Sequence, residues 1–165
     1  MKNRAYDLIV FDWNGTLSTA HLPLTHYGDV NPVPALYTGV KSTLKALHDQ
    51  GYIMAIASAA SKSKLQFETS YHEIDRYFAH LQGGEGAYCK PDPEVLFHIM
   101  AKLGIEPSRT LMVGDTESDM DMACKASIDK VAVTYGLGGR AQLASYNPIG
   151  FIDSIIGLLA CLQSN

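Results

Sequence analysis

A chain of 165 residues has room for one compact domain with a real core and little beyond it, so a single domain over residues 1–165 is expected. With 47% hydrophobic and 18% charged residues, a formal net charge of −4 and no Lys/Arg run, it lacks the electrostatic footprint of a protein that binds nucleic acid or an anionic membrane, and a small-molecule partner is expected instead. Cys89, Cys124 and Cys161 are odd in number, widely spaced and without a C-x-x-C pair, which predicts small buried hydrophobes in a reducing compartment rather than disulfides or a zinc site.

Leu8 to Phe11 is a short, unalternating apolar run, the pattern of a strand buried on both faces. The preceding M-K-N-R-A-Y-D has no apolar run after its positive residues, so no signal peptide is expected. Residues 18–37 carry Pro23, Pro32 and Pro34 with Gly28 and Asn31, predicting a loop that could serve as a lid. Val40, Leu44 and Leu47 fall at helical spacing before Gly51, a C-terminal helix stop. The run from Tyr52 to Ala57 predicts a second strand ending at Ser58. A helix over 61–72 and a short strand over 78–81 come next, then Gly83, Gly84 and Gly86 as a flexible bend before K-P-D-P. Pro91 and Pro93 open a third helix carrying Val95, Leu96, Ile99, Met100 and Leu103. T-L-M-V-G-D from Thr110 is a strand running into acidic residues, followed by a helix with Met120, Met122 and Ala123, a strand K-V-A-V-T, and a closing helix from about Ile152 to Gln163. The apolar stretch 149–162 is interrupted by Asp153 and is shorter than the roughly 20 residues of a membrane span, so a cytoplasmic protein is expected.

Strands alternating with helices predict an α/β fold with a doubly wound, mostly parallel sheet. In such sheets ligands bind beyond the carboxyl ends of the strands, and Asp12, Ser58, Lys90 and Asp115 all stand at or just past such ends. The stretch F-D-W-N-G-T-L, from Phe11 to Leu17, admits two readings. Asn14-Gly15 is a strong signal for a two-residue hairpin turn, yet T-L-S-T-A-H-L alternates poorly as a returning strand, which favours a loop that carries chemistry. Asp12, Asp115 and Asp119 would bring three carboxylates to one edge, a repulsive set unless a cation neutralises it. Mg²⁺ suits a few carboxylate oxygens plus waters and phosphate. Ser58 offers a hydroxyl with the following backbone N–H groups from Ala59 on, and Lys90 a positive charge for a phosphoryl group. Metal, anion cradle and carboxylate are the parts of phosphoryl transfer to an aspartate. Taken singly, G-D-T-E-S-D is a capped helix start, Lys90 a solvated lysine and Ser58 an ordinary strand-end serine. The ordered set carries the functional reading.

That set, D-W-N-G-T-L at Asp12, I-A-S at Ser58, K-P-D-P at Lys90 and G-D-T-E-S-D at Asp115, resembles the haloacid dehalogenase superfamily of hydrolases from about Leu8 to Tyr135. The resemblance implies a Rossmann-like core in which Asp12 is the phosphate-accepting nucleophile. It implies that Asp12, Asp115 and the backbone carbonyl of Asn14 hold Mg²⁺ with support from Asp119, and that Ser58, Ala59 and Lys90 bind the phosphoryl group. Members of the family usually carry a second Asp two residues after the nucleophile, as general acid and then base. Here Asn14 stands there, and an amide cannot shuttle protons, which puts about 10²- to 10⁴-fold at risk. Neither interval between motifs has room for a separate cap domain, so the sheet edge is open to a large substrate or to closure by a partner subunit, and a homo-oligomer is compatible with it. The expectation is a Mg²⁺-dependent phosphohydrolase of a small phosphorylated molecule, weak or restricted to good leaving groups. The alternative is a catalytically impaired, phosphate- or metal-binding regulatory module. His21 and His26 are candidates to replace the missing acid. Trp13 is read as a packing or pocket-wall residue, Glu117 and Asp121 as surface residues, and Y-G-L-G-G from Tyr135 as a glycine loop without the context of a nucleotide fingerprint.

Overall fold

The structure, a computed structural model, describes residues 4–19, 33–86 and 88–164. Six strands form one sheet: β1 Leu8–Phe11, β2 Ile53–Ala57, β3 His80–Gln82, β4 Thr110–Gly114, β5 Asp129–Val133 and β6 Gly150–Ile152. The helices are α1 Val40–Asp49, α2 Lys62–Tyr71, α3 Glu94–Leu103, α4 Glu117–Lys125, α5 Arg140–Ala144 and α6 Gly157–Gln163. The strand order is β3-β2-β1-β4-β5-β6 and every pairing is parallel, which bears out the doubly wound α/β expectation. Among the described residues no second domain stands over the sheet.

Alternation along the strands assigns the two faces. Ile9 and Phe11 point into a core shared with Val40, Leu44 and Leu47 of α1, Leu65 of α2 and Leu158 of α6. Leu8 and Val10 point the other way, onto Val95, Leu96 and Ile99 of α3 and Met122 and Ala123 of α4. Helices cover both faces, so all four residues of β1 are buried and the strand reads as a continuous apolar run.

Several boundaries differ from those predicted. Ile152 ends β6, paired to Val133, so the closing helix starts at Gly157 and not at Ile152. The run 149–162 is apolar on either side of Asp153 and Ser154, and its pattern does not divide strand from helix. The short α5 carries little periodicity and has no counterpart among the predicted elements. Gly83 and Gly84 are not a loose bend: a Cβ on Gly83 would lie 2.4 Å from the Lys62 backbone N, and one on Gly84 2.9 Å from the Ala59 Cα, so both are packed against the start of α2. Cys89 and Cys124 are exposed and Cys161 is half-buried, against the expectation of buried thiols; none of the three forms a disulfide. No helix among the described residues is long and apolar enough to cross a membrane.

Candidate active site

The strand order reverses between β1 and β4, and both deliver an aspartate at their carboxyl ends. The Asp12 N–H donates to the Val113 carbonyl at 2.9 Å, continuing the β1–β4 ladder one residue past β1 and fixing where the Asp12 side chain leaves the sheet. The chain then folds sharply over Trp13, whose carbonyl accepts from the N–H groups of Leu17 and Ser18, each at 2.9 Å, and Thr16 at 3.3 Å. Gly15 has φ +87°, while Asn14 is not among the residues of positive φ. A type I′ hairpin needs positive φ at both central positions. The contact between Asn14 and Ser18 is moreover a parallel bridge, so the stretch is a loop and not a hairpin.

Asp115 is held from two sides. Its Oδ1 accepts from the Thr16 hydroxyl at 3.0 Å and its Oδ2 from the Leu137 N–H at 2.8 Å. A Cβ on Gly15 would lie 2.2 Å from Asp115 Oδ2, and one on Gly136 2.3 Å from Asp115 Cβ, so both glycines permit backbone to close on this carboxylate. The loop from Tyr135 to Gly139, featureless as a nucleotide motif, is a wall of the site. The Tyr135 hydroxyl donates to the Thr16 carbonyl at 2.8 Å and ties that wall to the Asp12 loop.

Asp119 is both helix cap and site carboxylate. Thr116 is the N-cap of α4 in a reciprocal capping box with Asp119. Asp119 Oδ2 accepts from the Thr116 N–H at 3.1 Å, its hydroxyl at 2.9 Å and the Asp115 N–H at 3.2 Å. That leaves Oδ1 for Lys90, whose Nζ lies 2.6 Å from Asp119 Oδ1 and 2.6 Å from Asp12 Oδ1. Glu117 is exposed and Asp121 pairs with Lys125, as expected of surface positions.

The three aspartates bring carboxylate oxygens within 4.8 Å of one another in a buried setting. Three ionised carboxylates against one lysine would leave an excess that a divalent cation would balance, and hard carboxylate oxygens suit such an ion. Burial pushes Asp12 well above the usual carboxylate range, the neighbouring Asp119 and Asp115 reinforce the shift, and Lys90 opposes it. Burial alone would lower Lys90, but Asp119 and Asp12 outweigh it and hold the ammonium above its ordinary range. Lys90 is therefore a fixed cation bridging two carboxylates.

Ser58 directly follows β2, beside the Asp12 loop, and is buried. Its hydroxyl accepts from the Ala60 N–H at 3.1 Å, closing a turn on which Ala59 is exposed. Among the described residues no hydrogen bond joins Ser58 or Ala59 to the aspartates, so these two lie beside the cluster rather than in it. The Asn14 amide oxygen accepts from the Ser18 hydroxyl at 3.3 Å within its own loop. His21, His26 and most of the 18–37 loop lie outside the described residues. Sequence reasoning assigns no role to Thr16, Leu137 or Glu68; the Thr of D-W-N-G-T-L was a signal for the first, and the glycine loop for the second.

A family model described as haloacid dehalogenase-like hydrolase matches residues 25–133. That stretch contains Ser58, Lys90, Asp115 and Asp119, and Asp12 and Asn14 precede it. The chain is 34% identical over 140 residues to a phosphoglycolate phosphatase of Pseudomonas fluorescens, covering 84% of this chain and 52% of that protein. It is 32% identical over 139 residues to a phosphoglycolate phosphatase of Haemophilus influenzae, covering 83% and 62%. The chain thus spans between half and two-thirds of the length of these curated relatives. Among solved structures it resembles a predicted phosphoglycolate phosphatase from Haemophilus somnus, with TM-score 0.83, 22% identity and coverage of 96% of this chain and 98% of that one. It resembles equally a predicted phosphatase from Clostridium acetobutylicum, with TM-score 0.84, 18% identity and coverage of 97% and 99%. At these identities the structural likeness speaks for the fold.

Proposed function

The chain belongs to the haloacid dehalogenase-like hydrolases, and from that premise we propose that it is a phosphohydrolase in which Asp12 accepts the phosphoryl group of a small phosphorylated substrate. The observation that carries the proposal is the convergence of Asp12, Asp115 and Asp119 on Lys90 at the strand ends flanking the reversal of strand order. An Asp12 carboxylate oxygen attacks phosphorus, the bond from phosphorus to the leaving oxygen breaks, and an aspartyl-phosphate results. Water then attacks the same phosphorus, breaking its bond to Asp12 and releasing phosphate. Asp12, Asp115 and the Asn14 carbonyl, with Asp119 in support, would hold Mg²⁺, which when bound supplies positive charge for the phosphoryl oxygens. Lys90 keeps its proton and offsets charge on Asp12 and on the incoming phosphate. Ser58 and the N–H groups after it, from Ala59 on, cradle the phosphoryl oxygens.

Asn14 governs the range of substrates. Phosphoglycolate, the substrate in the names of the relatives, is an alkyl phosphate whose leaving oxygen needs a proton. Acyl and aryl phosphates leave without one. We therefore infer turnover of acetyl phosphate and p-nitrophenyl phosphate that exceeds turnover of phosphoglycolate, with Mg²⁺ present. Asn14→Asp is expected to raise the phosphoglycolate rate by about 10²- to 10⁴-fold and the acetyl phosphate rate far less. Equal and high rates on phosphoglycolate for both proteins would overturn this reading. Asn14 also favours a second reading, a phosphate- or metal-binding regulatory module that has lost turnover. Tight binding of beryllium fluoride with Mg²⁺, with no hydrolysis across a phosphate-ester and acyl-phosphate panel, would select it.

A further inference from the structure

Trp13 is the residue after the proposed nucleophile, is fully buried and is the chain's single tryptophan. Its indole Nε1–H donates to Glu68 Oε2 at 2.6 Å across 55 positions of sequence. Glu68 lies on α2 and is only 3% exposed. Lys64, one turn earlier, has Nζ 3.8 Å from its other oxygen and is half exposed, so the indole is the close partner of this carboxylate. Apolar packing alone would bury an indole; burying a carboxylate with it costs stability, and what it adds is a short charge-assisted bond that fixes the ring in one orientation.

Both ends of Trp13 are thereby constrained. Its side chain is tied to α2, and its carbonyl gathers the N–H groups of Thr16, Leu17 and Ser18 that shape the loop after Asp12. The other end of α2 grows out of the Ser58 turn: Ser61 caps the helix by accepting from the Lys64 N–H at 3.2 Å, and the Ala60 N–H closes onto Ser58 at 3.1 Å. One helix thus connects the turn bearing Ser58 to the loop bearing Asp12. We propose that Glu68 is a positioning residue that, through Trp13, sets Asp12 against the anion-binding turn at Ser58. The inference rests on the reading of Asp12 as the nucleophile.

The test compares Glu68→Leu, Glu68→Gln, Trp13→Phe and the double variant Trp13→Phe/Glu68→Leu. Thermal midpoint, kcat and KM on p-nitrophenyl phosphate with Mg²⁺, and calorimetric Kd for beryllium fluoride with Mg²⁺ are measured for each. Glu68→Leu is expected to lower kcat by roughly tenfold to a hundredfold with KM little changed, since misplacement by about 1 Å can cost about a hundredfold. It should weaken beryllium fluoride binding in parallel. Glu68→Gln keeps an acceptor oxygen and should restore most of both. The double variant leaves neither partner orphaned, so its thermal midpoint should recover relative to Glu68→Leu, whereas its kcat should not. That divergence separates positioning from support of the fold, and it carries the test if Glu68→Leu does not fold. A folded Glu68→Leu with wild-type kcat and wild-type affinity overturns the proposal, as does a double variant that recovers kcat along with stability. Absence of beryllium fluoride binding by the wild type, with Asp12→Asn indistinguishable from it in turnover, refutes the nucleophile reading itself and the inference with it.

Discussion

Replacing Lys90 by Met keeps the aliphatic stem and removes the charge that two buried carboxylates share. The side chains of Lys90, Asp12 and Asp119 are 8%, 9% and 0% accessible, so water cannot take the place of the ammonium. Breaking a buried ion pair by removing one partner costs about 3–5 kcal/mol, because the remaining charge is left uncompensated. For a chain of this size each kcal/mol moves the thermal midpoint by roughly 2–4 °C, so a fall of about 6–20 °C is expected in chelator-treated protein. The loss has a pH signature. Burial already raises Asp12 in the folded state, and losing the opposing Lys90 raises it further. A carboxyl whose folded pKa lies above its unfolded one binds its proton more tightly when folded, so stability is gained as pH falls and lost as pH rises through the folded value. The gap between variant and wild type should therefore be wider at about pH 8 than at about pH 5.5. Mg²⁺ should narrow it at pH 8, since a ligand that binds only the folded state stabilises by mass action. Thermal unfolding followed by circular dichroism, with chelator or with Mg²⁺, measures all three effects. A midpoint within about 2 °C of wild type at about pH 8 in chelator would refute the claim that Lys90 neutralises a buried cluster.

Gly15→Ala forces a side chain onto a residue with φ +87°, which costs about 1–2 kcal/mol, and drives its Cβ to 2.2 Å from Asp115 Oδ2. A lower midpoint and a smaller Mg²⁺-induced rise are expected, and a variant matching wild type in both would count against the placement of Asp115. Asp115→Asn should weaken Mg²⁺ binding measured by calorimetry while leaving the circular dichroism spectrum unchanged; undiminished affinity would remove Asp115 from the metal set. Asp7 is bonded by Arg109, which lowers its pKa against the opposing effect of burial, with Arg4 adding to the lowering. Its stabilising contribution is present above the unfolded value of about 3.9 and lost as pH falls through the folded value, so Asp7→Asn should flatten the acid limb of a urea-unfolding series below about pH 4. An unchanged limb would show that these half-exposed pairs are screened.

The strands and most helices were legible because both-face burial leaves strands such as Leu8–Phe11 as unbroken apolar runs and because Gly51, Gly104 and the prolines punctuate the helices. The end of the chain was not, since Asp153 and Ser154 are only a short break between two apolar runs and leave no clear change of period to mark where β6 stops. The four candidate site residues at strand ends were proposed from their order, yet the way the structure holds them could not be. Thr16, Leu137 and Tyr135 act on Asp115 or on the Asp12 loop through contacts about 20 to 120 residues apart in sequence, which no local pattern encodes. Glu68 would pass in sequence for a solvated helical acid; its burial follows from the arrival of Trp13 from another element.

The structure bears on whether another group replaces the acid absent at position 14. Lys90 is protonated, but it is bonded to two carboxylates that hold its pKa above the ordinary range, so surrendering a proton would leave Asp12 and Asp119 uncompensated. Tyr135 is near the site, yet burial pushes its pKa up and its hydroxyl proton is committed to the Thr16 carbonyl at 2.8 Å. Neither can serve a leaving oxygen without dismantling the site, and Asn14 itself has no proton of suitable acidity. The proposed restriction to leaving groups that depart as stable anions follows from this arrangement, and its consequence is a profile without an alkaline limb. Hydrolysis of acetyl phosphate should show no limb at alkaline pH assignable to loss of a general acid, whereas Asn14→Asp should introduce one for phosphoglycolate. A wild-type pH–rate profile that falls through a single pKa near 6.5 would point to a histidine instead, and loss of that limb in His21→Ala or His26→Ala would identify which.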